Sequence, residues 1–183
     1  SAAAKLPDPK DRTAPLDLAP FKNFLKVETH RLKLLHQAGA GGREICRGHA
    51  AVIDVLLSKL WNRAKISLSA QAQREFPPLA LAALGGYGRG ELNPKSDLDV
   101  MVLHDGQVVA SLKPLPHLAK MIDFILMPLF DLNFKVGHSV RTITECVQLA
   151  NQDMQTKTSL IEARFIVGDE ALFQRFHKAL VAK

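Results

Sequence analysis

The residues best suited to chemistry lie between Leu84 and Leu103. An apolar run, Leu79 to Leu84, leads into Gly85-Gly86-Tyr87-Gly88-Arg89-Gly90-Glu91, then Asn93-Pro94-Lys95-Ser96, then Asp97-Leu98-Asp99-Val100. Closely spaced glycines after a strand let successive backbone N–H groups converge on one concavity, an anion nest suited to phosphates, and Arg89 adds a charged donor beside it. Strand residues two apart share a face, so Asp97 and Asp99 project together while Leu98 and Val100 enter the core. Two adjacent carboxylates repel each other; a pair of Mg²⁺ ions removes the repulsion and bridges phosphates to an attacking oxygen. The chemistry that suits this grouping is phosphoryl or nucleotidyl transfer, in which positioning and charge neutralisation are most of catalysis.

Three better-known glycine motifs fail at one residue. A dinucleotide fingerprint or a kinase loop counted from Gly86 and Gly88 needs glycine where Glu91 stands, and a Walker loop needs Lys and Ser or Thr where Glu91 and Leu92 stand. No HExxH pair occurs. His138 and Ser139 are adjacent, so on an extended strand they point to opposite faces and form no triad.

The elements that must carry this loop follow from periodicity. Asp17 precedes a helical pattern with Pro20 in its first turn, and Phe21, Phe24, Leu25, Leu32 and Leu35 repeat at three- and four-residue steps until Gly39. Ile45, Val52, Ile53, Leu56, Leu57, Leu60 and Trp61 extend a second helix from Gly42 to about Ile66, packed on the first as a hairpin. Pro77-Pro78 admits a buried strand over Leu79 to Leu84; Leu98 to Leu103 forms a second, closed by the turn His104-Asp105-Gly106. Leu115 to Leu129 reads as a helix ended near Pro128, and Phe130 to Val136 as a third strand. Thr142 and Glu145 make a capping box before Ile143 to Ala150. Asp153 opens a further helix that Gly168 terminates, and Asp169 opens the last. The expected fold class is α+β: a small mixed sheet with flanking helices, an N-terminal helical hairpin and C-terminal helices. Its divisions are a flexible leader over 1–16, the hairpin over 17–70, the core over 71–141 and the C-terminal extension over 142–183. Residues 17–183 read as one unit, either an excerpt of a longer protein or the whole of a minimal one.

Composition narrows the classes. The 183 residues are 47% hydrophobic and 23% charged, which excludes disordered and disulfide-scaffold chains. No apolar run approaches the roughly 20 residues that span a bilayer, so a soluble protein without membrane contact is expected. Cys46 and Cys146 form no zinc pattern and read as reduced and buried, as in a cytoplasmic protein. The net charge of +6 suits phosphates or an acidic partner, but aromatics are only 6% and interleave with no basic run, which argues against nucleic acid.

The block GGYGRGELNPKSDLDV resembles the signature of the DNA polymerase β type nucleotidyltransferase superfamily. With HQAGAGGREICRGHAAVIDVLL upstream, and FDLNFKVGHSVRTITECVQLA and TSLIEARFIVGDEALFQRF downstream, it resembles the amino-terminal domain of bacterial PII uridylyltransferases and uridylyl-removing enzymes, over roughly residues 20 to 177. That resemblance implies Mg²⁺-dependent transfer of UMP from UTP to a tyrosine of the PII nitrogen-signalling protein. Gly85 and Gly86 would hold the triphosphate, Arg89 and Ser96 would support it, Tyr87 would pack on the nucleotide or anchor the loop, and Asp97 and Asp99 would bind Mg²⁺. The superfamily's third carboxylate sits on the next strand. Asp131 is the match expected there, as metal ligand and helper in deprotonation, sharing a strand face with Asn133 and Lys135. Many members carry Glu where this chain has Lys135, which would instead touch a phosphate. The HD and ACT domains of the full-length enzymes are not expected in this chain. His138 and Arg141 stand near the expected site, and Glu162 and Arg164 could orient it, while Trp61 reads as core. Two other functions stay open: a nucleotidyltransferase with another acceptor, and a nucleotide-binding regulatory module without catalysis.

Overall fold

The computed structural model describes Leu6 and residues 16–69, 77–106 and 116–181. Most of the expected leader, and Leu115 at the start of the expected third helix, lie outside the described residues. Helix α1 (Ala19–Gln37) starts with Pro20 in its first turn and buries Phe21, Phe24 and Leu32. Helix α2 (Gly42–Ser67) buries Val52, Ile53, Leu56, Leu57, Leu60 and Trp61. Strand β1 (Leu79–Ala83) is buried throughout and runs into a single helical turn, α3 (Gly85–Gly88). Strand β2 is Leu98–His104, α4 Pro116–Asp131, β3 Val136–Thr142, α5 Ile143–Gln152, α6 Met154–Ile161, β4 Arg164–Gly168 and α7 Glu170–Val181.

The sheet order is β3-β2-β1-β4, with β2 and β3 parallel and the other pairs antiparallel. Alternation along the strands sorts the core into two layers. Leu79, Leu81, Leu98, Val100 and Val102 face α1, α2 and α4. Ala80, Ala82, Met101 and Leu103 face Cys146, Leu160, Leu172, Phe173 and Phe176 of the C-terminal helices. The small alanines of β1 let these helices approach the sheet closely. The fold class is therefore α+β, as the patterning implied, with a mixed four-stranded sheet between two helical layers.

Two expected elements are corrected. The third strand is Val136–Thr142, not Phe130 to Val136, because α4 runs through Pro128 and stops three residues later. The stop is Asn133, which adopts φ +64 in the left-handed region. Its N–H donates to Phe130 O at 2.9 Å and the Phe134 N–H donates to Leu129 O at 3.0 Å, the paired bonds of a Schellman motif. The segment Gly137 to Arg141, expected to follow the third strand, is most of that strand. The helix opened by Asp153 ends at Ile161, and the aromatic and β-branched run Phe165-Ile166-Val167 forms β4 against β1.

Gly168 closes β4 at φ +115, where a Cβ would overlap the Leu79 carbonyl oxygen and lie 2.9 Å from Ala80 Cα. Gly168→Ala is expected to lose about 3 kcal/mol from combined strain and crowding. Thermal unfolding followed by circular dichroism should show this as a midpoint lowered by about 6–12 °C.

Candidate active site

The carboxylates of Asp97 and Asp99 stand at the entry to β2, exposed, while Leu98 and Val100 between and beyond them are 1% and 2% exposed. The glycine loop and β2 are joined directly, since the Leu84 N–H donates to the Asp99 carbonyl at 3.0 Å. Gly85, at φ +55, turns the chain into α3, and a Cβ built there would lie 3.9 Å from Asp99 Oδ2. Across the sheet Asp99 pairs with Gly137 on β3, where a Cβ would overlap Asp99 Oδ1. The Asp99 carboxylate thus sits between two glycines that leave it room. Burial, and then the charge of Asp97, raise the Asp99 carboxyl above its ordinary range.

Gly137→Ala should push this carboxylate aside without disturbing the core. The expected result is a metal affinity lowered by about 10–100-fold with an unchanged unfolding midpoint, read by Mn²⁺ titration and circular dichroism.

Tyr87 anchors the loop. Its side chain is 1% exposed, and its hydroxyl donates to Asp54 Oδ1 on α2 at 2.6 Å. Burial, followed by the Asp54 charge, raises the phenol well above its ordinary value, so it remains a donor. Arg164 of β4 completes the knot: it donates to Asp54 Oδ2 and Oδ1 at 2.9 and 3.0 Å and to the Tyr87 carbonyl at 3.3 Å, with its guanidinium 5.3 Å from the Tyr87 ring centroid. Gly88 allows close approach on the other side, since a Cβ there would lie 2.5 Å from the Glu162 carbonyl oxygen. Helix α2 supplies two more ties, Arg43 at 2.5 Å and Arg47 at 3.7 Å from Glu91.

The remaining expected residues divide. Arg89 is paired with Glu162 at 2.5 Å, half exposed at the loop's edge. The Ser96 hydroxyl donates to Asn93 O at 2.9 Å and the Lys95 N–H donates to Asn93 Oδ1 at 3.0 Å, a turn that delivers the chain to Asp97. Lys135 lies at the foot of β3, its carbonyl accepting from the Leu98 N–H at 2.8 Å. Asp131 is not on a strand. It is the last residue of α4, in a groove with Leu16, Leu18, Phe124 and Met127, so it shares no face with Asn133 and Lys135. Among the described residues no three His, Cys, Asp or Glu side chains are grouped to hold a metal, so Asp131 does not join Asp97 and Asp99.

His104-Asp105 is a His-Asp doublet, but His104 is 4% exposed, its Nδ1 accepts from the Gly106 N–H at 3.3 Å, and burial lowers its pKa. It closes a strand. The contributions of Asp54 and Arg164 escaped prediction at the level of this knot. The available signal was Asp54 itself, a lone acid in the apolar run Ala50 to Leu57.

A strand, a glycine turn and an Asp-x-Asp on the adjacent strand of a small mixed sheet are consistent with nucleotidyl transfer, and the chain belongs to the nucleotidyltransferase domain family, which it matches over residues 66–165. Its relatives include the bifunctional uridylyltransferase/uridylyl-removing enzyme of Phenylobacterium zucineum, 40% identical over 148 residues, 78% of this chain and 15% of that protein. The protein of the same name from Caulobacter vibrioides is 40% identical over 141 residues, 76% of this chain and 14% of that protein. That from Vibrio atlanticus is 33% identical over 159 residues, 87% of this chain and 17% of that protein. The chain thus spans 14–17% of the length of these relatives. Members of the family typically use a divalent metal, and the donor set fits one: Mg²⁺ is commonly held by one or two carboxylates plus substrate phosphates. Among the described residues, no helix is long and apolar enough to cross a membrane.

Proposed function

We propose that this chain is the catalytic unit for transfer of UMP from UTP to a tyrosine of a PII-type nitrogen-signalling protein in the cytoplasm. The observation that carries the reading is the carboxylate pair Asp97 and Asp99 beside the glycine loop, with Asp99 set between Gly85 and Gly137. Its relatives, named as uridylyltransferases, support the choice of nucleotide. Asp97 and Asp99 hold the cation, and amides of the loop from Gly85 to Tyr87 meet the triphosphate. Arg89 and Ser96 border the loop and steady it. Mg²⁺ bound there would neutralise triphosphate charge and favour attack at the α-phosphorus. The acceptor oxygen bonds to the α-phosphorus as the bond to pyrophosphate breaks, the hydroxyl proton passes to solvent water, and pyrophosphate departs. Residues 17–183 act as one unit, because α2 ties directly to the glycine loop.

The test is the intact mass of PII after incubation with this chain, Mg²⁺, 2-oxoglutarate and each nucleoside triphosphate in turn. The expected result is a gain of one uridylyl group per PII chain with UTP alone. A gain with another nucleotide would overturn the base assignment. Mg²⁺-dependent UTP binding without modification of PII would favour another acceptor or a binding module.

A further inference from the structure

We propose that the site takes a single divalent cation per nucleotide, and that the Lys135 ammonium supplies the second positive group on the triphosphate. The inference rests on the nucleotidyltransferase reading and concerns the place beside Asp97. Strands β2 and β3 are parallel with Leu98 opposite Val136 and Asp99 opposite Gly137, and the Leu98 N–H still donates to the Lys135 carbonyl at 2.8 Å. One step earlier along both chains the residues are Asp97 and Lys135. By the two-residue alternation Lys135 belongs to the face that carries Asp97, Asp99 and Gly137. Lys135 is exposed and engaged in no ion pair among the described residues, so its ammonium is available to an incoming anion.

Among the described residues no third carboxylate stands on this face, so a second divalent cation would have to share both acids with the first. Asp131 is on α4, and Gly137 brings only hydrogen. Charge points the same way: the Lys135 ammonium cuts the net charge of the face from two negative to one negative and repels a second cation. An ammonium opposite Asp97 does for the phosphates part of what a second cation does in two-metal sites, as a point charge with three donors.

The experiment counts Mn²⁺ by electron paramagnetic resonance on the folded chain saturated with the non-hydrolysable α,β-imido analogue of UTP. The native protein should bind one Mn²⁺ per bound nucleotide. Lys135→Glu, which adds an acid to the face, should bind two. Lys135→Met should keep one while its nucleotide affinity falls about tenfold, as one charged contact is lost. Circular dichroism confirms that each variant is folded. Two Mn²⁺ on the native protein, or one on folded Lys135→Glu, overturns this proposal and leaves the nucleotidyltransferase reading standing. Failure of the native protein to bind the analogue in the presence of Mn²⁺ overturns both.

Discussion

Asp97→Asn and Asp99→Asn each lower nucleotidyl transfer by about 10³-fold or more, while the metal-free fold is as stable as before or slightly more so. The first half follows from chemistry. Amide oxygens are poor ligands for a hard cation, and losing its charge stabilisation costs several kcal/mol in the transition state, at about 1.4 kcal/mol per tenfold. The second half follows from electrostatics. Asp99 is raised above its ordinary range by burial and by Asp97, so the folded state holds its proton more tightly than the unfolded chain does. Such a group adds stability at low pH, and that contribution is lost as pH rises from the unfolded carboxyl value through the raised folded one. At neutral pH the Asp99 charge therefore works against folding, and Asn relieves it. Activity with an unfolding midpoint in metal-free buffer separates the two readings. A variant that loses activity only because it unfolds earlier would contradict the assignment.

Asp54→Ala is expected to lower stability and transfer together. It removes the acceptor of Tyr87 and both carboxylate acceptors of Arg164 in one step, leaving a half-buried guanidinium with only the Tyr87 carbonyl and an Nε that already lacks a partner. The expected cost is about 2–3 kcal/mol, below that of a fully buried pair because both side chains keep some solvent contact. The unfolding midpoint should fall by about 5–10 °C. Tyr87→Phe, which loses one hydrogen bond, should cost about 1 kcal/mol. Transfer should fall in both variants, more in Asp54→Ala, because the knot fixes the turn that carries Gly85 and Gly86. If Asp54→Ala were no more destabilised than Tyr87→Phe, the knot would not bind α2, the loop and β4 together.

Much of this site was legible because it is local. A strand, a glycine cluster and carboxylates two apart on the next strand are encoded within twenty residues, and period-two alternation alone placed Asp97 and Asp99 on one face. The capping box of Thr142 and Glu145 forms as the spacing implied, with the Glu145 N–H donating to Thr142 Oγ1 at 3.1 Å. What failed was the stretch from Pro128 to Val136. Proline lacks an amide hydrogen and reads in the sequence as the end of α4, but the effective stop is Asn133, which tolerates the left-handed conformation. That shift moved the third strand along the chain and took Asp131 out of the site, leaving Lys135 at the foot of β3. Strand β4 was missed for a related reason. Its helical spacing continued that of α6, and only pairing with β1, distant in sequence, decides the conformation of Phe165 to Val167. The knot of Asp54, Tyr87 and Arg164 joins residues 33 and 110 positions apart, which no local pattern encodes.

The most direct test of the central claim is a crystal structure of the chain with Mn²⁺ and the α,β-imido analogue of UTP, phased to show anomalous scattering. The expected result is a metal peak within coordination distance of both Asp97 and Asp99, with the triphosphate lying over Gly85 and Gly86. A nucleotide bound elsewhere, or a metal peak that neither carboxylate touches, would contradict it.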